Sequence, residues 1–243
     1  MRLKKTDKCH LITFLNFVTL LFRNFATYKK MKDLSNYRKS YEKSELLESS
    51  ISKNPFELFS KWFQEAEEIG GSEEINAMTI STIGLDGFPK NRVVLLKQLT
   101  SDGFVFFTNY ESEKGKAIAE NPNVCLSFFW HNSERQVIIK GIALKTATQI
   151  SDDYFHSRPI GSQIGAVASH QSEVISSREI LEDKVTSLEK EYSAKEIARP
   201  EYWGGYIVKP QEIEFWQGRP NRLHDRIRYQ FQDGNWKIER LSS

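Results

Sequence analysis

The sequence predicts a mainly β protein with peripheral helices, folded as an antiparallel barrel. Short apolar segments recur along most of the chain, and Asp-Gly pairs typical of tight turns separate several of them, at 86–87, 102–103 and 233–234. Helical periodicity is confined to a few stretches. Because no internal repeat or low-complexity linker divides these segments, we expect a single domain over residues 54–243.

The helices are placed by their capping residues and by apolar spacing. Asn54 followed by Pro55 is typical of a helix start, and Gly70-Gly71 is typical of a helix end, so a helix is expected from 55 to about 69. Its aromatic residues follow helical spacing. Further helices are predicted at 112–120, 149–157, 159–168 and 177–192.

The strands are placed by apolar segments bounded by turn residues. The polar residues 31–53, ahead of the first helix, are expected to form a flexible arm. Strands are predicted at 77–83, 92–96, 104–108, 124–130, 136–144, 204–209, 212–217, 226–231 and 236–241.

The first thirty residues differ from the rest of the chain in charge. They carry seven basic residues against Asp7 alone, which leaves the other 213 residues with 27 basic and 31 acidic side chains. The body of the protein is therefore slightly acidic, and a nucleic-acid surface is not indicated. The apolar run 11–22 is too short to span a bilayer. We expect residues 1–30 to be an upstream extension of a cytoplasmic protein that starts at Met31, with an organelle-targeting presequence as the alternative.

Several familiar chemistries lack their motifs in this sequence. There is no glycine-rich dinucleotide or P-loop motif and no nucleophile elbow. Cys9 and Cys125 are far apart, and the five histidines show no ligand spacing, so no metal site is predicted. What remains is arginine, lysine, serine and glutamine near strand ends, which suits small molecules that carry phosphate.

Residues 214–226 read EFWQGRPNRLHDR and are the strongest single motif. If the chain is extended from Arg222, then Arg222, His224 and Arg226 share one face, while Leu223 and Asp225 share the other. Two guanidinium groups and an imidazole on one face could bind an anionic ligand and exchange a proton. The alternative is an exposed basic edge strand.

These motifs resemble the signature segments of the pyridoxine/pyridoxamine 5′-phosphate oxidase family. The segment 214–226 is similar to that family's C-terminal signature, and further similar segments occur in consistent order from about residue 34 to 241. They are RVVLLK at 92–97, FTN at 107–109, ERQV at 134–137, FHSRP at 155–159, SQIGA at 162–166 and WGG at 203–205.

The resemblance implies an FMN-binding split β-barrel that forms a homodimer with FMN at the subunit interface. Arg92 and Lys114 would bind the FMN phosphate through charge-assisted hydrogen bonds. Glu113 departs from the family, which commonly has an arginine or another phosphate partner there, so we expect its carboxylate to point away. The other FMN-binding residues implied are Val93, Val94, Leu95, Leu96, Lys97, Phe107, Thr108, Gln136, Gln171, Ser172, Trp216 and Arg226.

The resemblance also implies the substrate site and the reaction. Arg222 and His224 would act at the pyridine ring as the catalytic residues, and oxygen would oxidise pyridoxine or pyridoxamine 5′-phosphate to pyridoxal 5′-phosphate with release of hydrogen peroxide. A non-catalytic pyridoxal phosphate carrier and another split-barrel flavin reductase are the alternatives. The substrate-binding residues implied are Arg38, Tyr41, Lys97, Tyr154, Arg158, Ser162, Arg222, Leu223 and His224.

Overall fold

The computed structural model describes residues 32–71 and 74–243. The expectations for residues 1–30 therefore lie outside the described residues. The chain divides into two compact units, one up to Lys39 and the other from Ser40 to Ser243. In the first unit the described residues include a turn, in which the Tyr37 N–H donates to the Leu34 carbonyl at 2.9 Å. No helix within the described residues is long and apolar enough to cross a membrane.

The second unit is built on one antiparallel sheet, curled as a split barrel. Its strands run in the order β2-β1-β5-β6-β7-β4-β3, with β8 beside β7 and β9 beside β8. The bounds are β1 Ala77–Ile83, β2 Pro89–Leu95, β3 Gln98–Thr100, β4 Gly103–Asn109, β5 Asn123–Trp130, β6 Arg135–Lys145, β7 Trp203–Gln217, β8 Asp225–Gln232 and β9 Asn235–Arg240.

The long strand β7 organises this sheet. On one side it pairs with β6 over residues 206–217, whereas on the other side it pairs first with β4 (203–208) and then with β8 (212–217). Its two ends therefore belong to different parts of the barrel wall. Residues at the start of β7 and residues at its end therefore have different neighbouring strands.

Five α-helices flank the sheet in the described part of the chain, close to the predicted positions. The cap predicted for the first helix is confirmed, because the Asn54 side-chain oxygen accepts from the Phe56 N–H at 3.0 Å. The bounds are α1 Pro55–Ile69, α2 Glu113–Glu120, α3 Thr148–Ser157, α4 Ile160–Ala168 and α5 Glu179–Glu191.

The apolar face of α1 closes the barrel and forms the centre of the core. The Phe59 ring meets Phe104 and Phe128 at centroid distances of 5.0 and 5.1 Å, and the Trp62 ring meets Phe215 at 5.2 Å. All five side chains are buried. Because each ring removes a large apolar area from water, this layer is a main source of the domain's stability. A smaller cluster around Phe155, Ile164, Ile197 and Trp203 holds α3 and α4.

Two strand predictions need correction. The segments 204–209 and 212–217 are a single strand, because Pro210 lies at a β-bulge where the missing N–H is tolerated. The bulge faces Gly141, where a Cβ atom would lie 2.4 Å from the Lys209 carbonyl oxygen. The three-residue strand β3 was not predicted, since so short a segment shows no apolar period.

The flexible arm expected at 31–53 is, from residue 40 onward, packed against the barrel. The N–H groups of Glu42 and Lys43 donate to one carboxylate oxygen of Glu134 at 2.9 and 3.1 Å, and the Leu46 N–H donates to Asp225 at 3.1 Å. The Leu46 side chain is buried in the core. This polar segment is held in place by hydrogen bonds from its backbone to carboxylates that are far away in the sequence. The composition of the segment does not indicate these hydrogen bonds.

Candidate active site

A cavity of about 640 Å³ lies among β2, β4, α3 and α4. It brings together most of the predicted binding residues, although they come from four separate segments of the sequence. The predicted residues that line it are Arg92, Val93, Val94, Leu95, Lys97, Phe107, Thr108, Lys114, Tyr154, Arg158, Ser162, Gln171 and Ser172.

Arg92 and Lys114 form the first cationic group of the cavity. The Lys114 ammonium is buried and donates to the Thr108 hydroxyl at 2.8 Å and to the Gln171 carbonyl at 2.9 Å. Arg92 donates through Nη1 to the Thr82 hydroxyl at 3.0 Å, while its buried Nη2 has no hydrogen-bond partner among the described residues. The group therefore has an unused donor available for an anion.

Burial sets the protonation of Lys114. Removal of the ammonium from water, with a smaller contribution from the positive charge of Arg92, lowers the pKa of Lys114 to about 8. Glu113 acts in the opposite direction. A bound anion would favour the charged form of this lysine.

Glu113 does not turn away from this group as expected. It begins α2, and its carboxylate lies 2.6 Å from the Lys90 ammonium and 3.8 Å from Nη2 of Arg92. Its side chain is nearly half exposed. The attraction of Lys90 and Arg92 holds the carboxylate beside the first cationic group.

Arg158 is the centre of the second cationic group, with Lys97. It follows the last residue of α3, and Pro159 then starts the turn into α4. Its buried Nη1 has no hydrogen-bond partner in the described part of the chain, and burial lowers the pKa of the guanidinium. Tyr154 and Ser162 also line the cavity. This group can also bind an anion.

Three stacked rings form one wall of the cavity. One of them, Trp203, was not predicted from the sequence as a site residue. Phe107 and Tyr154 stack with centroids 3.9 Å apart, and Trp203 lies parallel to Phe107 at 5.7 Å. A Cβ atom on Gly205 would come within 2.9 Å of the Phe107 ring, so the glycine permits this stack. The segment 203–205 was noted in the sequence, but nothing there shows that the Trp203 ring faces ligand-binding residues.

The remaining predicted residues of the second unit do not line this cavity. The side chain of Leu96 turns into the core. The others gather where β6 and β8 start and β7 ends: Gln136 and Arg226 lie opposite Trp216, and the rings of Trp216 and His224 are 4.7 Å apart. Tyr41 packs on both rings, at 5.7 and 5.9 Å. We call Tyr41, Gln136, Trp216, His224 and Arg226, with the adjacent Arg222 and Leu223, the C-terminal group.

The extended geometry expected from Arg222 onward is wrong. Pro220–Arg222 is a single 3-10 turn in which Asn221 and Arg222 have φ of 57° and 63°, and the strand begins only at Asp225. Strand alternation therefore does not place Arg222, His224 and Arg226 on one face. Instead, Arg226 donates to both oxygens of Glu214 at 2.7 and 3.1 Å.

His224 is held by the turn that precedes it. Its Nδ1 accepts from the Arg219 N–H at 3.1 Å, so a neutral ring carries its proton on Nε2. Partial burial, followed by the charge of Arg222, lowers the pKa of His224. The neutral imidazole is therefore favoured, with Nε2 as its donor.

The cavity and the C-terminal group lie at opposite ends of β7. Trp203 lines the cavity and Trp216 belongs to the other group, thirteen residues along the same strand, which corresponds to about 40 Å of strand length. Arg38 belongs to the first unit, where its Nε donates to the Ser35 carbonyl at 3.1 Å. Among the described residues, no cluster of histidine, cysteine and acidic side chains is suited to a metal ion.

Comparisons with known proteins extend over nearly the whole described chain. Residues 64–191 match the family model for pyridoxamine 5′-phosphate oxidase, and residues 203–243 match the pyridoxine 5′-phosphate oxidase C-terminal dimerisation region. The pyridoxine/pyridoxamine 5′-phosphate oxidase of Flavobacterium psychrophilum is 68% identical over 87% of this chain and 100% of its own length. That of Christiangramia forsetii is 56% identical over 87% and 99%.

Solved structures are similar in fold. PhzG from Burkholderia lata, in complex with tetrahydrophenazine-1-carboxylic acid, superposes with a TM-score of 0.77 at 26% identity, covering 83% of this chain and 100% of PhzG. A pyridoxamine 5′-phosphate oxidase-related, FMN-binding protein from Nostoc punctiforme has a TM-score of 0.61 at 14% identity, over 79% and 100% of the two chains. The second comparison concerns the fold alone.

Proposed function

This chain belongs to the pyridoxine/pyridoxamine 5′-phosphate oxidase family, and we propose that it uses molecular oxygen to oxidise pyridoxine 5′-phosphate or pyridoxamine 5′-phosphate to pyridoxal 5′-phosphate. Hydrogen peroxide is the second product. The oxidation of pyridoxamine 5′-phosphate also consumes one water molecule and releases ammonia. The observation that carries the proposal is the pair of buried guanidinium nitrogens, on Arg92 and Arg158, that have no hydrogen-bond partner among the described residues and lie at one cavity.

FMN is the cofactor of this enzyme. The first cationic group fits its phosphate, because Nη2 of Arg92 lacks a hydrogen-bond partner within the described chain and the Lys114 ammonium lies in the same cavity. Thr108, Gln171 and Ser172 supply neutral polar groups around it. When bound, FMN supplies the two-electron acceptor that takes the hydride from C4′ of the substrate and returns the electrons to oxygen.

The second cationic group would bind the phosphate of the substrate. Nη1 of Arg158 is buried without a partner in the described chain, so an incoming phosphate oxygen would satisfy it and recover part of its desolvation cost. Lys97, Tyr154 and Ser162 would complete the phosphate site. Fixing the phosphate orients the pyridine ring, and this orientation is the main contribution that side chains make to the reaction.

A homodimer with FMN at its interface would bring the C-terminal group to the cavity. The two groups are separated along β7 within one chain, and the residues 203–243 that match a dimerisation region include most of the C-terminal group. In this proposal Gln136, Trp216 and Arg226 of a second copy contact the flavin. Arg222 and a neutral His224, donating through Nε2, would face the pyridine ring.

The proposal is tested by oxygen uptake and peroxide release from the FMN-loaded protein. Substrates are pyridoxine 5′-phosphate, pyridoxamine 5′-phosphate and unphosphorylated pyridoxine. We expect turnover of both phosphates. Arg158→Met should raise the KM for pyridoxine 5′-phosphate by about tenfold or more with FMN content unchanged, because one charge-assisted hydrogen bond is lost. Arg178→Met, at an exposed surface ion pair, is the matched control.

Each rival function predicts a different result. A pyridoxal phosphate carrier would bind FMN and pyridoxal 5′-phosphate but release no peroxide. A flavin reductase acting on other substrates would leave pyridoxine 5′-phosphate unoxidised. Equal KM values for pyridoxine and its phosphate would contradict the role of the second cationic group.

A further inference from the structure

We infer that Trp203 determines the preference for phosphorylated substrate, because its ring positions the Arg158 guanidinium in the cavity. The inference rests on the proposed function, since it assigns the substrate phosphate to Arg158. It adds a positioning residue that does not itself have to touch the substrate.

The contact between the two side chains is a cation–π interaction. The Arg158 guanidinium carbon lies 4.6 Å from the centroid of the Trp203 ring, and the Phe155 ring is farther away at 5.9 Å. In the described chain no carboxylate contributes to the electrostatics of Arg158, and its Nη1 has no hydrogen-bond partner. Among the described residues, aromatic faces are therefore the contacts that hold this half-buried guanidinium in place.

An aromatic partner leaves the guanidinium free to bind a phosphate. A carboxylate would neutralise its charge and occupy its N–H groups, so an incoming phosphate would have to displace it. A ring face attracts the cation from one side and leaves the N–H groups in the guanidinium plane unused. Within the described chain Nη1 lacks a hydrogen-bond partner, which is consistent with a site kept ready for an anion.

Trp203 is itself rigidly held. It is 7% exposed and starts β7, where it pairs with Asn109 of β4. Its carbonyl accepts from Arg199, whose Nε is 2.6 Å from the Asp152 carboxylate on α3. Its ring lies within 12° of the Phe107 plane and within 9° of the Tyr154 plane. Such a ring can fix the position of a long, flexible arginine side chain.

A purely structural role for Trp203 gives a different prediction. The ring also packs on Phe155, at 5.3 Å, within a small apolar cluster with Ile164 and Ile197. If it served only that cluster, its replacement would lower stability in the same way whether or not Arg158 were present. A double-mutant cycle between the two residues therefore separates the two roles.

The experiment compares Trp203→Leu, Trp203→Phe, Arg158→Met and the double variant Trp203→Leu/Arg158→Met. KM and kcat for pyridoxine 5′-phosphate, FMN affinity from fluorescence quenching, and Tm are measured for each. We expect Trp203→Leu to raise KM by about tenfold with kcat and FMN affinity little changed, and Trp203→Phe to retain most of the wild-type KM. In the Arg158→Met background, Trp203→Leu should raise KM no further.

Two results would overturn the inference. One is a wild-type KM in Trp203→Leu while Arg158→Met raises it; the other is an equal KM increase from Trp203→Leu in both backgrounds. If Trp203→Leu does not fold, Trp203→Met fills the space without a ring and is judged by the same criteria. If Arg158→Met itself leaves KM unchanged, the proposed substrate site has failed instead.

Discussion

At the scale of single residues, the site depends on cations placed where water is excluded. Lys114 is 6% exposed, and burial holds its pKa at about 8, so it titrates close to the range in which enzymes work. The charge of the first cationic group therefore depends on pH through Lys114.

We predict that FMN affinity falls as pH rises through about 8, with Lys114 as the cause. Below that pH the ammonium is charged and attracts the phosphate, whereas above it the neutral amine does not. Between pH 7 and pH 9, FMN affinity should fall by up to about tenfold. The measurement is the dissociation constant from quenching of FMN fluorescence at each pH.

Lys114→Arg is the matched variant for this prediction. An arginine remains charged at pH 9, so a variant that still binds FMN should lose most of the pH dependence. If Lys114→Arg showed the same fall in affinity as the wild type, another group would be responsible.

At the scale of secondary-structure elements, the start of α2 and the neighbouring strand β2 determine the charge beside the site that we propose for the FMN phosphate. Glu113 begins the helix, and its carboxylate lies between Lys90 and Arg92 of β2, at 2.6 and 3.8 Å. A carboxylate beside a phosphate is repulsive. The closer contact with Lys90 keeps this carboxylate from pairing fully with Arg92.

We predict that Glu113→Gln tightens FMN binding, whereas Lys90→Ala weakens it. Removing the carboxylate removes a repulsion, and removing Lys90 lets Glu113 move onto Arg92 and compete with the phosphate. Each effect should be about three- to tenfold, since both side chains are partly exposed. The dissociation constant of FMN is again the measurement.

The double variant tests whether Lys90 acts through Glu113. In the Glu113→Gln background, Lys90→Ala should have little effect, because no carboxylate remains to be held. An undiminished loss of affinity there would show that Lys90 attracts the phosphate directly. A weaker FMN complex in Glu113→Gln alone would contradict the repulsion.

At the scale of the whole molecule, the proposed site requires two copies of the chain. One end of β7 contributes to the cavity through Trp203, and the other carries Trp216 of the C-terminal group. Some side chains at the cavity are also open to solvent in the single chain, with Val93 67% exposed. A second copy would cover such side chains and supply the missing half of the site.

We predict that two impaired variants, one with a raised KM and one with a low turnover, complement each other when paired in one dimer. Arg158→Met alters the cavity, and Arg222→Ala, which should lower turnover strongly with FMN retained, alters the C-terminal group. A mixed dimer, isolated with two affinity tags, would contain one intact site and show about half the wild-type turnover. The measurement is peroxide release at a pyridoxine 5′-phosphate concentration near the wild-type KM.

A pairing of two cavity variants is the control. A mixed dimer of Arg158→Met with Lys97→Met has no intact site and should show only a raised KM. If the first mixed dimer also lacked a site with the wild-type KM, both groups would have to belong to the same chain, and the interface site would be wrong.

The sequence by itself determined the local structure and the chemical character of the ligands. Caps and turns such as Asn54-Pro55 and Asp233-Gly234 act over a few residues. The helix and the hairpin that they begin or connect can therefore be predicted from the adjacent sequence alone. Arg92, Lys97, Lys114 and Arg158 could be assigned to one cavity only because their motifs resemble a family with two phosphate ligands. The positive charge of these four side chains does not by itself indicate that they share a cavity.

Only the tertiary structure decided which of these side chains share a site. It separated the C-terminal group from the cavity, placed the Trp203 ring beside Arg158, and brought the Glu113 carboxylate to Lys90. The curvature of the sheet and the change of partner along β7 determine these distances. Since both depend on strand pairing between residues far apart in the chain, no local pattern in the sequence specifies them.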